Sequence, residues 1–289
     1  MTSSSDLAPA IRDQWHVISA VEDVPRHKPA GTLLFGERIA YGRDGAGSIA
    51  VWRHAAPDAA LPVLERYGFV WTSFGTPPAD LFAIPEHDEP DRVNVCAGSI
   101  GVNVSAPRAI ENFLDMGHFP YVHTDILGAE PHTEVKDYDV NISNDGNEIL
   151  ATRCRFYQPK AALTATEGIE VEYVYRVPHP YCSVLYKSCP TDMARMDVIA
   201  IFCQPTTEET VRAHLKLSML DEENSLTGIR RFQQMIFGQD RPILENQYPK
   251  RLPLDPRAET PIRADKSAIV YRRWLSGTGV NYGVIPQAA

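Results

Sequence analysis

No cysteine precedes Cys96, and the chain holds only five, Cys96, Cys154, Cys182, Cys189 and Cys203, at irregular spacing. An odd, scattered set excludes a disulfide framework and suits a reducing compartment, so these residues read as core thiols and the chain as cytoplasmic. No apolar run approaches the ~20 residues that a membrane-spanning helix needs. The segment Met1 to Asp6 has neither a basic start nor an apolar stretch, which argues against an export signal. Positive charge is in deficit: 28 Lys and Arg against 37 Asp and Glu give a formal net charge of −9. That balance repels phosphate backbones and anionic headgroups, and so excludes nucleic acid and membrane surfaces as natural partners.

What is present describes an ordinary globular protein. The 289 residues are 44% hydrophobic and 22% charged, enough for about two domains on a prior of ~150 residues each. Short β-rich runs cover Trp15 to Val21, Thr32 to Tyr41, Ser48 to His54 and Arg66 to Phe74, with Arg43 to Gly47 as a hairpin turn. Residues 1–76 thus form a small antiparallel β unit. Pro77, Pro78, Pro85 and Pro90 make 77–92 a linker, because proline can continue neither a central strand nor a helix.

Residues 93–289 form the larger unit. Ser105 caps a helix with Pro107 in its tolerant first turn and Ile110, Phe113 and Leu114 on one face; Pro120 ends or kinks it. Strands follow around the Asn144 to Gly146 turn and over Glu170 to Val177, Cys182 to Lys187, Asp197 to Cys203 and Arg212 to Leu220. The spacing of Leu226, Ile229, Phe232 and Ile236 predicts a helix from Ser225 to Phe237, stopped by Gly238, with a second helical turn starting near Asp240. Strands, a helix, a long antiparallel sheet and then helices give the class α+β.

The chemistry concentrates in ENFLDMGHFPYVH, residues 111 to 123. Asn112, Asp115 and His118 recur at intervals of three, so on a helix they share a polar face. His118 and His123 flank Pro120, a spacing that suits a helix end folding back so that two neutral imidazoles converge on one metal. An ionised carboxylate as third ligand completes a two-histidine, one-carboxylate facial set, which leaves iron(II) open positions for oxygen and substrate. The alternative is two separate, internally satisfied histidines. Asp115 weighs against it, because a carboxylate three residues before a ligand histidine can hold its second ring nitrogen.

The pattern Asn-x-x-Asp-x-x-His-x-x-x-x-His resembles the iron motif of the α subunits of Rieske non-heme iron oxygenases, with Asn112, Asp115, His118 and His123 in the matching places. FGQDRPILENQ at 237 to 247 resembles the family's distant carboxylate motif and marks Asp240 as the third ligand. Taken alone, Asp240 also reads as a helix N-cap ahead of Pro242. There is no HExxH of a zinc hydrolase, and the ligand order differs from that of 2-oxoglutarate oxygenases. The resemblance implies a Rieske-like β domain followed by a helix-grip (START-like) catalytic domain, in which a curved sheet wraps a long helix and mononuclear Fe(2+) sits between them.

The chain departs from the family in one respect. Trp15 to Trp52, Arg66 to Ser73 and the Tyr67, Gly68, Trp71 run resemble the framework around a [2Fe-2S] cluster, yet residues 1–95 contain no cysteine. The chain has no cluster of its own. Two electrons must then come from NAD(P)H through a Rieske cluster supplied in trans, with a Rieske-bearing reductase as donor, and the resemblance implies that Asp115 relays them from a cluster-ligating histidine of a neighbouring subunit to an iron-ligating histidine.

GSIGVNVS at 98 to 105, the 111 to 131 segment, FQQMIFGQD at 232 to 240 and YRRWL at 271 to 275 further resemble the Rieske-lacking oxygenase components of bacterial methylxanthine N-demethylases. That implies oxidative N-demethylation of a 7-methylxanthine-like purine with release of formaldehyde, in a homotrimer or hetero-oligomer. Phe113, Phe119, Tyr121 and Phe237 offer apolar surfaces for a flat substrate, and Asn112 is expected to line the site. A non-catalytic subunit of a heteromeric oxygenase, a ligand-binding module and an oxygenase of another small aromatic are the competing readings.

Overall fold

The computed structural model describes residues 6–160, 167–189, 192–220 and 224–287; residues 1–5, on which the N-terminal reading rests, lie outside this set. After a single-turn helix α1 (Pro9–Arg12), the chain builds β1 (His16–Ala20), β2 (Ala30–Leu34), β3 (Glu37–Arg43), β4 (Ile49–Arg53), β5 (Ala56–Leu61), β6 (Val63–Arg66) and β7 (Phe69–Thr72). These pair as a three-stranded sheet in the order β1-β7-β6 and a four-stranded sheet β2-β3-β4-β5. The expected strands over Thr32 to Tyr41 and Arg66 to Phe74 are each split into a hairpin. Phe35 and Gly36 (φ 51° and 78°) and Tyr67 and Gly68 (φ 56° and 83°) take the paired positive φ that two-residue hairpin turns demand. Phe35 and Tyr67 are buried aromatics, which disguises these turns as strand in the sequence.

From Val93 onward one seven-stranded antiparallel sheet dominates, in the order β8 (Val93–Val102), β14 (Thr210–Met219), β13 (Asp192–Thr207), β12 (Cys182–Cys189), β11 (Ile169–His179), β10 (Ile149–Gln158) and β9 (Asp139–Ile142). Both faces of its middle strands are covered. Val184, Tyr186, Val198 and Phe202 pack against Tyr67, Phe69 and Trp71 of the first unit. The alternate residues Leu185, Ile201 and Leu215 face the cluster that holds α2 (Ala106–Leu114) and α4 (Leu226–Asn246). The period of two places Val171, Tyr173 and Tyr175 on the same inner face.

Two helical expectations are corrected. α2 stops at Leu114, and Asp115 is already extended (φ −80°, ψ 128°), so Asn112, Asp115 and His118 do not share one helix face. His118 instead opens a separate single turn, α3 (Phe119–Val122), with Pro120 inside its first turn, where its missing N–H costs nothing. At the other end, Gly238 does not stop α4, which runs on through Pro242 to Asn246 and places Asp240 mid-helix rather than at an N-cap. Ile229, Phe237, Asp240 and Leu244 are buried along it. Burial of that face outweighs the ~1 kcal/mol preference of glycine and the larger one of proline against a helix interior. The remaining α-helix is α5 (Lys266–Thr278), which packs against α2, and the remaining strands are a short parallel pair, β15 (Leu252–Pro253) with β16 (Val284–Ile285).

Candidate metal centre

The break between α2 and α3 is held by Asp115. Its Oδ1 accepts the Gly117 N–H at 2.8 Å, an Asx-type turn, and its Oδ2 accepts from His118 Nδ1 at 2.9 Å. The α3 turn then carries the chain through one revolution, with the Val122 N–H on the His118 carbonyl (2.8 Å) and the His123 N–H on the Phe119 carbonyl (3.1 Å). This returns His123 beneath His118, their Nε2 atoms 3.2 Å apart. From α4, Gln239 Oε1 accepts a hydrogen bond from His123 Nδ1 at 2.9 Å. The next residue, Asp240, sets its Oδ1 3.2 Å from His118 Nε2 and 3.0 Å from His123 Nε2. His123 and Asp240 are buried, and His118 is nearly so.

These contacts decide the tautomers. Each Nδ1 faces an oxygen acceptor and so carries the proton, which leaves each neutral ring with a lone pair on Nε2. In the neutral rings two such lone pairs converge with a carboxylate oxygen, and Asp240 Oδ1 is buried without a hydrogen-bond partner other than these imidazoles. Such an arrangement calls for a cation. Donors at right angles about a metal, at bonds of about 2.1 Å, would lie about 3 Å apart, the separation seen here. The electrostatics favour positive charge at this point. Burial pulls the His118 imidazole down, but Asp115 and Asp240 more than offset it and hold it at about 9, so at neutral pH the ring carries a second proton that a metal cation would replace. Burial likewise opposes ionisation of Asp115 and Asp240, and their histidine partners keep both below the usual carboxylate range. Among the described residues, His118, His123 and Asp240 form the only group of this kind.

Beside the triad lies a cavity between α2, α4 and the sheet. Phe113, Phe119 and Phe237 line it, as the sequence suggested, and Asn112 reaches it. Tyr121 does not; it is 67% exposed, because the single-turn α3 points it outward. On the other side, Asn112, Asp115 and His118 form the floor of a surface groove edged by Gln247, Tyr248 and Pro261. Asn112 and His118 therefore belong to both, and one layer of side chains separates groove from cavity.

Three contributors escaped sequence reasoning. Gln239, which orients His123, carried a signal only in its place beside Asp240. Gly128 packs directly on α3: a Cβ there would lie 2.8 Å from the Pro120 nitrogen. The inward faces of β11 and β12, with Tyr173, Tyr175, Leu185 and Lys187, complete the cavity wall, and strand alternation marked them as inward without saying toward what.

Residues 102–279 match the family model of the vanillate O-demethylase oxygenase C-terminal domain. A probable methylxanthine N7-demethylase of Pseudomonas sp. (strain TJI-51) is 47% identical over 272 residues, covering 94% of this chain and 95% of that one. Among solved structures, NdmA of Pseudomonas putida CBB5 with caffeine superposes with a TM-score of 0.72 at 19% identity, covering 91% of this chain and 90% of that one. NdmB of the same strain gives 0.73 at 18%, with 96% of each chain covered.

Proposed function

Because this chain belongs to the Rieske non-heme iron oxygenases, in the group that shares the vanillate O-demethylase oxygenase C-terminal domain, and is an iron monooxygenase of the N-demethylating kind, we propose that it oxidatively demethylates a 7-methylxanthine-like purine with O2. The observation that carries the reading is the convergence of His118 Nε2, His123 Nε2 and Asp240 Oδ1 beside an aromatic-walled cavity. The 47% identity to a probable methylxanthine N7-demethylase supports the choice of methyl group.

In this reading His118, His123 and Asp240 hold one iron(II), which when bound supplies the one-electron and O2 chemistry that no side chain can perform. Asp115 and Gln239 keep both imidazoles in the Nδ1–H tautomer, so that Nε2 is free to ligate. Phe113, Phe119 and Phe237 present the walls against which a flat ring lies, and their packing keeps bulk water from the N-methyl group. The methyl C–H becomes C–OH, and the second oxygen atom leaves as water at the expense of two electrons and two protons. The carbinolamine then collapses to the N–H purine and formaldehyde.

The electrons come from NAD(P)H through a Rieske cluster on a reductase or neighbouring subunit. The groove floored by Asp115 and His118, with Tyr248 exposed at its edge, supports entry there. The reading includes residues 1–76 as a degenerate Rieske-like unit without cluster ligands, 77–92 as a linker and 93–289 as a helix-grip iron domain, assembled as a homotrimer or hetero-oligomer.

The test is anaerobic reconstitution with iron(II), then turnover of 7-methylxanthine with NADH and a Rieske-bearing reductase. About one iron per chain, no acid-labile sulfide and formaldehyde equal to product are expected. If a methylxanthine panel yields no formaldehyde while another aromatic is oxidised, the purine assignment fails.

A further inference from the structure

The cavity and the groove share two residues, His118 and Asn112. His118 has no hydrogen bond to spare, because its Nδ1 is on Asp115 and its Nε2 faces the triad. Asn112 differs. It stands half-buried in the last turn of α2, where its main-chain carbonyl accepts the Asp115 N–H at 3.2 Å. Its side-chain amide, with two donors and an acceptor, makes no hydrogen bond to any described residue. Among the described residues it is thus the one polar side chain with uncommitted hydrogen bonds that borders both voids.

Demethylation consumes protons where few are at hand. The methyl C–H gives way to C–OH, the O–O bond is cleaved, and the second oxygen takes two electrons from the donor and two protons from solvent before it leaves as water. Electrons delivered to a buried site without protons leave charge that nothing there solvates. Much of the cavity wall is hydrocarbon, with Phe113, Leu185, Ile199 and Leu215. Its proton-bearing groups Tyr173, Tyr175 and Lys187 are buried, so a proton lent by any of them has to be replaced from outside. The groove, about 430 Å³ with Tyr248 91% exposed at its edge, lies one side chain away. An apolar residue at position 112 would fill the layer equally well. An amide there also allows water on one side to be hydrogen-bonded to an oxygen on the other.

We propose that Asn112 is a positioning residue that holds the hydrogen-bonded path by which solvent protons pass from the groove into the cavity. This rests on the reading of the triad as the iron site and of the cavity as the place of the substrate. The amide neither gains nor loses a proton. Its oxygen accepts from a water on one side, its N–H donates to an oxygen on the other, and protons move along the waters it orders.

The test compares the full chain with Asn112→Leu, which keeps the volume and removes every donor and acceptor, and with Asn112→Ser, which restores a hydroxyl. Iron retention and the KM for 7-methylxanthine are expected to stay at parent values in both. In Asn112→Leu, kcat is expected to fall about 100-fold, the low end of what positioned proton transfer supplies, and the solvent isotope effect on kcat in D2O to rise. Asn112→Ser should recover most of kcat and the parent isotope effect. A parent-like kcat in Asn112→Leu overturns the proposal, as does a rise in KM at unchanged kcat, which makes Asn112 a substrate contact instead. A loss of kcat with an unmoved isotope effect shows a structural role and overturns it too.

A second readout needs no turnover. Manganese(II) bound in place of iron relaxes bulk water protons through the water that exchanges at the site. Asn112→Leu is expected to cut that enhancement and Asn112→Ser to keep it; equal enhancement in the parent and Asn112→Leu overturns the proposal. This readout decides even if no methylxanthine is demethylated, in which case the purine reading falls on its own. Should Asn112→Leu not fold, Asn112→Met, equally without donor or acceptor, is judged by the same outcomes. If neither metal binds the parent chain, the iron reading and the proton path fall together.

Discussion

At the scale of single residues, the proposed site separates groups that would hold a metal from groups that orient them. His118→Ala and Asp240→Ala remove donor atoms and are expected to abolish retention of iron through gel filtration. Asp115→Asn keeps size and leaves all three donors, but removes the charge that orients His118. It is expected to retain iron while coupled turnover falls about 10- to 100-fold. Parent-like product formation with the full reductase system would show Asp115 to be a local turn-former, fully accounted for by its hydrogen bond to Gly117.

At the scale of elements, the candidate ligands depend on where α2 ends and α3 sits. Gly128 lies so close to the Pro120 backbone that Gly128→Ala must push α3, and with it His118 and His123. Iron affinity in a chelator competition is expected to drop about tenfold or more; Gly45→Ala, where a Cβ meets nothing within 4 Å, should leave it unchanged. α2 is anchored from its other side by Glu111, which pairs with Arg108 (3.2 Å) and with Arg272 of α5 (2.6 Å), all three buried. Burial pushes the Glu111 carboxyl up, against the pull of Arg272. Glu111→Ala takes the more buried of two carboxylates from two buried guanidinium groups and is expected to cost about 3 kcal/mol in chemical denaturation. A loss under 1 kcal/mol would mean that Glu259, which also pairs with both arginines, suffices alone.

For the molecule as a whole, three buried histidines set the response to acid. Burial holds His16 at about 4, His214 at about 3 and His179 well below its ordinary value. All three are neutral in the folded chain and titrate near 6.5 when unfolded. Above pH 6.5 they contribute no pH dependence. Between 6.5 and about 4 the unfolded chain binds more protons than the native one, so stability falls as pH falls, by up to about 1.4 kcal/mol per pH unit for each histidine. The melting temperature is expected to drop steadily from pH 7 to pH 5. His214→Gln should flatten that slope relative to the parent, and an equal slope in the variant would exclude His214 from the effect. No described helix is long and apolar enough to cross a membrane.

Local chemistry carried what the sequence alone determined. The spacing of Asp115, His118 and His123 already allowed a tautomer-fixing carboxylate and two ligands, because those contacts are made within one or two turns of chain. Ser105 as N-cap, the Arg43 to Gly47 turn and the alternation through Tyr173 and Tyr175 were legible for the same reason, and the lack of cysteine before Cys96 carried the expectation of a cluster supplied in trans. Asp240 was legible only by resemblance; its own surroundings suggested a cap. The tertiary structure decided that α4 passes through Gly238 and Pro242, since burying Phe237, Asp240 and Leu244 together outweighs local propensity. It also decided that Gln239 faces His123, that Gly128 sets the seat of α3 and that Lys187 enters the cavity wall. Each of these depends on packing between segments distant in the chain, and neither periodicity nor capping chemistry encodes which distant surface a side chain will meet.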